Sequence, residues 1–327
     1  MKGDHGFVLV NALILVAALA SVAAFLLARS EAGQARLQSG LGTDQLTLNL
    51  DAFDALAMTM LTQDTGAIDH TGEAWAKPLP PVDLARGKVT GKLQDLQGRF
   101  NLNWLAIPGN TLADEAFDIL LARLGIAPET GTAMRLFLRP GGPSDRSRWL
   151  QLDPPLAPAG GAILDVSQLA QIPGISERNL ERLAPYITAL TGMTQLNVNT
   201  ADAEILAAFF PDVPPAELAR LIGQRQQEPF PSSKAFLIAV GLAEAEQAQR
   251  QPTEEVDEDG EPQTEAADEA AIRRTEALEA MISVGSEWFE VQSSAEYEGV
   301  TARRRTILQR KGVPAVIELK WRLSFRS

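Results

Sequence analysis

The chain has no cysteine. No disulfide can staple the fold, and no thiolate can act as nucleophile or metal ligand. Histidine is nearly absent too, with only His5 and His70 among 327 residues. That is too few for a multi-histidine metal centre, and a histidine-based triad would have to rest on one of these two. Basic residues number 29 against 42 acidic ones, for a net charge of −13. Nucleic-acid affinity comes largely from neutralising phosphates, so no nucleic acid is expected as a partner. Phosphate-binding P-loops, nucleophile elbows and paired-histidine zinc helices are all missing from the sequence. Carboxylate pairs are so common in an acidic chain that none marks a catalytic site. The reading is a protein that is not an enzyme.

Charge is also missing from Phe7 to Ala28, where Asn11 is the one strongly polar residue. As a helix this run spans roughly 30 Å, the thickness of a bilayer core. Three explanations compete. A cleaved secretory signal is compatible with Ala18-Leu19-Ala20, but the apolar run is long and the basic flank is only Lys2. A signal anchor needs nothing more than the run itself. The third takes Gly6-Phe7 as a cleavage junction ahead of an apolar helix.

Beyond Arg29, the pair Gly40 and Gly42 is expected to stop the helix. A second helix is predicted over 44–62, with Leu46, Leu50, Phe53, Leu56, Ala57, Met60 and Leu61 at helical spacing. Residues 64–81 read as a turn-rich loop, and 88–94 as a short strand. A turn at Gln97-Gly98 leads into Arg99-Phe100-Asn101-Leu102-Asn103, read as the second arm of a strand–turn–strand. From 112 to about 250 the period is helical. Ile172-Pro173-Gly174-Ile175 and Pro211 to Pro215 are read as the turns of two helix–hairpin–helix segments, with Thr200 as the N-cap of a helix between them. Residues 244–269 are strongly acidic and read as a solvated loop. Strand alternation returns over 288–294 and 303–310. In the last strand Ile317, Leu319, Trp321 and Leu323 are predicted to share one buried face.

The Gly6-Phe7 junction before an apolar helix resembles the leader of type IV pilins and pseudopilins. The segment Asp95-Leu96-Gln97-Gly98-Arg99-Phe100-Asn101-Leu102-Asn103 resembles the K minor pseudopilins of type II secretion, as does Asn11 in place of the usual Glu. The resemblance covers nearly the whole chain. It implies an α+β fold: an N-terminal apolar helix packed on a small antiparallel sheet, interrupted by a large inserted all-α domain. The corresponding boundaries are a leader at 1–6, the apolar helix at 7–40, a split α/β domain at 41–111 and 272–327, and a helical insertion at 112–271.

The resemblance further implies processing between Gly6 and Phe7 by a prepilin peptidase, N-methylation of Phe7, and a role for Asn11 in assembly. It places the chain in the inner membrane with its bulk in the periplasm, at the tip of a pseudopilus, beside other minor pseudopilins. Contact with exported substrates stays open. It also implies calcium, for which Asp257, Asp259 and Glu261 alternate around Gly260. A solvated acidic loop remains the plainer explanation of that run.

One rival comes from another class. Leu196-Asn197-Val198-Asn199-Thr200-Ala201, with Arg225 and Pro229-Phe230 downstream, is similar to the membrane-tethered competence DNA receptors. Their hairpins bind phosphates through amides of Gly-x-Gly turns. Here Ser176 replaces the second glycine, and Pro211-Asp212-Val213-Pro214-Pro215 has no glycine at all.

Overall fold

The computed structural model describes residues 5–84, 87–158, 160–242, 263–312 and 314–326. One helix, α1 (His5–Gln63), runs for 59 residues, about 90 Å at helical rise. The expected stop at Gly40 and Gly42 does not occur. A helical glycine costs only about 1 kcal/mol relative to alanine, and no turn residue follows to divert the chain. A Cβ at Gly42 would stand 3.6 Å from the Tyr297 ring, while Gly40 meets nothing within 4 Å.

The upper half of α1 lies on a five-stranded sheet. Its strands are β1 (Val82–Leu84), β2 (Gly87–Asp95), then across the insertion β7 (Trp288–Tyr297), β8 (Val300–Lys311) and β9 (Val316–Arg326). They are ordered β1-β2-β7-β8-β9, and every neighbour is antiparallel. Leu46, Leu50, Phe53, Ala57 and Leu61 recur every three or four residues and face Val89, Leu93, Phe289, Val291 and Leu308. Gly91 is needed at this contact, because a Cβ there would fall 2.5 Å from the Phe53 ring.

Between β2 and β7 lies the helical insertion. Its elements are α2 (Thr111–Arg123), α3 (Pro128–Leu138), α4 (Ser147–Leu150), α5 (Glu177–Leu183), α6 (Ala203–Phe209), α7 (Pro215–Gln227), α8 (Ser233–Ala239) and α9 (Gln263–Met281). The insertion has its own core, built on Phe100, Phe117, Phe209 and Phe236. Phe100 stacks on Phe117 at 5.1 Å. Helix α9 begins inside the stretch read as an acidic loop and continues ten residues past position 271. Helix α3 lies within the stretch of helical period. Its Pro128 start and the spacing of Met134, Phe137 and Leu138 carry the signal.

Two short parallel pairs stitch insertion to sheet. β3 (Phe100–Asn101) pairs with β4 (Ile187–Thr188), and β5 (Leu196–Asn197) with β6 (Ile282–Ser283). The expected strand over 99–103 is therefore only two residues long and passes into a 3₁₀ turn at Leu102–Ala106.

The expected single apolar face of β9 is also corrected. Ile307 pairs with Trp321 while Leu308 pairs with Leu319, so Lys320 bulges out. An extra residue reverses which side the following side chains face. Ile317 and Leu319 stay on the α1 side. Trp321, Leu323 and Phe325 turn to the side of the insertion.

Candidate assembly site

Helix α1 carries three of the residues singled out in the sequence. Gly6, Phe7 and Asn11 lie in its first turns, and Asn11 is exposed. Leu13, Leu19, Leu26 and their neighbours are exposed as well, each by more than half. The helix is long and apolar enough here to cross a membrane. Above this run, Leu37, Leu41 and Leu48 are 60–70 % exposed. Helical geometry puts them opposite Leu46, Leu50 and Phe53. One face of α1 therefore carries the sheet, and the other presents leucines to solvent. Asp257, Asp259 and Glu261 lie outside the described residues.

The body is fixed to α1 by ions as well as by apolar contacts. Arg304 of β8 reaches Asp51 at 2.5 Å and Asp54 at 3.2 Å. Arg322 of β9 reaches the same pair at 3.3 Å and 3.1 Å. Thr306 donates to Asp54 at 3.0 Å. A second knot ties the end of α1 to sheet and insertion. Arg310 donates to Asp64 at 2.8 Å, to Asp69, and to the Ser286 carbonyl at 2.8 Å. Asp69 also accepts from the Ser286 amide at 2.7 Å. Burial pushes the Asp69 carboxyl up to about 7, even against the nearby Arg310 charge.

Asp64, Asp69 and Glu73 bring carboxylate oxygens within 4.8 Å of one another, as a metal site would require. Their donors are already in place. Arg310 serves the two aspartates, while Glu73 accepts from the His70 amide at 2.9 Å and Trp75 Nε1 at 2.8 Å. Protein donors thus reach all three residues, while the buried Asp69 Oδ1 has no hydrogen-bond partner among the described residues.

The segment 95–103 is the joint between sheet and insertion. Asp95 accepts from the Gln97 amide at 2.7 Å and from the Thr200 hydroxyl. Thr200 is thus not a helix cap; Asp202 precedes α6 instead, without a side-chain hydrogen bond. A Cβ on Gly98 would lie 2.8 Å from Thr200, so only glycine allows this approach. Gln97 accepts from the Glu287 amide at 2.6 Å and donates to the Gln195 carbonyl at 2.9 Å.

Asn101 accepts from the Leu190 amide at 3.0 Å and donates to the Leu190 carbonyl at 3.0 Å. Asn103 does the same with Ile163, at 2.8 Å and 2.9 Å. Asn197 and Asn199 repeat the device. Asn197 donates to the Asp69 carbonyl at 3.0 Å, and Asn199 exchanges two hydrogen bonds with Phe230 at 2.9 Å and 3.0 Å. A buried amide satisfies both a donor and an acceptor of irregular backbone, which is why asparagine recurs in these two segments.

Arg225, the cation that suggested phosphate binding, is buried and donates to the carbonyls of Val198 and Ala201. Burial lowers its pKa to about 10. It is an internal strut between α7 and the start of α6. In the first hairpin Gly174 has a φ of +89°. The conformation is there, but the cation downstream is spent inside the fold.

Comparison with known proteins converges on one family. Models described as type II secretion system (T2SS), protein K match residues 98–192 and 196–255. Type II secretion system protein K of Pseudomonas aeruginosa is 29 % identical over 264 residues, covering 72 % of this chain and 76 % of that protein. Its counterpart in Aeromonas hydrophila is 25 % identical over 286 residues, covering 79 % and 78 %. Among solved structures, the fold matches a chain in the crystal structure of the GspK-GspI-GspJ complex from the enterotoxigenic Escherichia coli type 2 secretion system. The TM-score is 0.69 at 22 % identity, over 89 % of this chain and 100 % of that one.

Proposed function

Because the chain belongs to the family of type II secretion system protein K, we propose that this minor pseudopilin caps or initiates the tip of a periplasmic pseudopilus. The observation that carries the reading is the combination of one unbroken spine and one bulky insertion. The 59-residue α1 supplies an apolar, uncharged lower half and a sheet-clamped upper half. The insertion, with a core of its own, makes the body far broader than the spine. In a filament of many equivalent copies that breadth would obstruct lateral packing. At an end there is room for it.

Its partners in this reading are other minor pseudopilins, comparable to those named with the solved relative. Before assembly it is held in the inner membrane by the lower half of α1, with its body in the periplasm. A prepilin peptidase cuts between Gly6 and Phe7 and the new N-terminus is methylated. The exposed Asn11, neutral where most pilins have Glu, suits a subunit with no earlier neighbour to pair with. Calcium held by Asp257, Asp259 and Glu261 belongs to the same reading, supported by their alternate spacing around Gly260. The role is structural.

Mass spectrometry of the mature chain tests the reading at its N-terminus. A chain beginning at methylated Phe7 is expected. An intact leader, or a start near Ser21, would overturn it.

A further inference from the structure

The two outer strands of the sheet differ greatly. β1 has three residues, whereas β9 has 11. Long free edges are normally shortened, charged or covered, since their unpaired amides and carbonyls recruit other strands. β9 carries Glu318, Lys320, Arg322 and Arg326, yet it keeps its full length, and Val316, Leu319, Leu323 and Phe325 between them are 38–59 % exposed. Its bulge at Lys320 distributes them over both faces. On the insertion side the edge opens on a groove of 480 Å³, lined by Leu164, Ala189, Trp288, Ile307, Trp321 and Leu323. Leu164, on the far wall, is 66 % exposed.

The other side of β9 leads directly to α1. Arg322 meets Asp51 at 3.3 Å, and the next positions round the helix are Leu48, Leu41 and Leu37. The free strand edge and the free leucine face are therefore continuous. A body packed along the leucines has β9 within reach.

We infer that the edge of β9 pairs with an extended strand of a neighbouring, different pseudopilin, which places an apolar side chain in the groove beside Trp321. This rests on the pseudopilin reading. A second copy of the present chain, paired antiparallel through β9, does not fit. Gly42 lies by Tyr297, Asp54 by Arg304 and Asp64 by Arg310, so α1 runs in the same direction as β8 and opposite to β9. Antiparallel pairing of two β9 strands would point their membrane helices in opposite directions. A strand from a different subunit, with its own helix parallel to α1, meets no such conflict.

Hydrogen exchange tests the inference. The full chain in detergent micelles would be mixed with the other pseudopilins of the same secretion system. Amides of 316–325 are expected to exchange at least ten-fold more slowly in the complex, with those of Val82–Leu84 unchanged. Leu323→Lys and Phe325→Lys should each weaken the complex about ten-fold at unaltered Tm. A complex that forms with unchanged β9 exchange would overturn the edge pairing and leave the pseudopilin assignment standing. Wild-type affinity in both folded variants would do the same. Failure to bind any pseudopilin would bring down both. Should a lysine variant unfold, wild-type exchange decides alone.

Discussion

Arg304 and Asp54 meet at 3.2 Å with almost no solvent on either side chain, the one on β8 and the other on α1. The pair joins the spine of the molecule to its sheet. Removing one partner leaves a buried charge without compensation, which typically costs about 3–5 kcal/mol. Arg304→Ala, which leaves the buried Asp54 only the more exposed Arg322, should therefore lower stability by up to about that amount in denaturant unfolding. Arg322, which also pairs with Asp54 and is 38 % exposed, should cost less than half as much when replaced by Ala. Equal losses at the two arginines would contradict the arrangement.

Asn103 and Asn199 each satisfy a donor and an acceptor of buried backbone. Stranding buried polar groups costs about 1–3 kcal/mol apiece. Asn103→Ala and Asn199→Ala should each destabilise by roughly 2–6 kcal/mol on that scale. Asn→Asp at either position should also be destabilising, because a carboxylate cannot donate to the Ile163 or Phe230 carbonyl. A variant as stable as wild type would refute the staple.

Asp69 gives a pH signature. Its folded-state pKa is raised to about 7 by burial, above its ordinary value of 3.8. Between those values the folded state binds more protons than the unfolded one, so its contribution to stability falls as pH rises from about 4 to about 7. Asp69→Asn should flatten that part of the profile. Unchanged slopes in thermal melts across the same pH series would remove Asp69 as the cause.

Calcium should raise the melting temperature of the full chain by mass action if Asp257, Asp259 and Glu261 bind it. Replacing Asp257 and Asp259 by Ala should abolish the gain. A gain that survives would place the ion elsewhere.

Much of the fold is written in local periodicity. The helical spacing from Leu46 to Leu61 places α1 on the sheet, and the alternation in 288–294 and 303–310 gives β7 and β8. What was not legible depends on contacts distant in sequence. Gly40 and Gly42 read as a stop because local propensity is all a sequence shows, yet nothing in the fold diverts the chain there. Lys320 carries no mark of a bulge, because the register shift is set by β8. Thr200 has the side chain of a helix cap, but Asp95, 105 residues earlier, captures its hydroxyl. The same holds for the site. The apolar lower half of α1 and the 95–103 segment stand out in the sequence, whereas the β9 edge and the internal use of Arg225 need the tertiary structure. The leucine face of α1 was present in the pattern as the complement of the buried positions.

Asn11→Glu places an ionisable carboxylate in the apolar run. Without a partner it costs roughly 2.5–3.5 kcal/mol on insertion scales. The variant should insert poorly or be found away from filament ends. Wild-type insertion, location and secretion together would leave the end position resting on the insertion's bulk alone.

Immunogold labelling of isolated pseudopili tests the end position of this subunit most directly. With antibody against the helical insertion, gold is expected at one end of each filament and nowhere along the shaft. Label at regular intervals along the shaft would contradict the account.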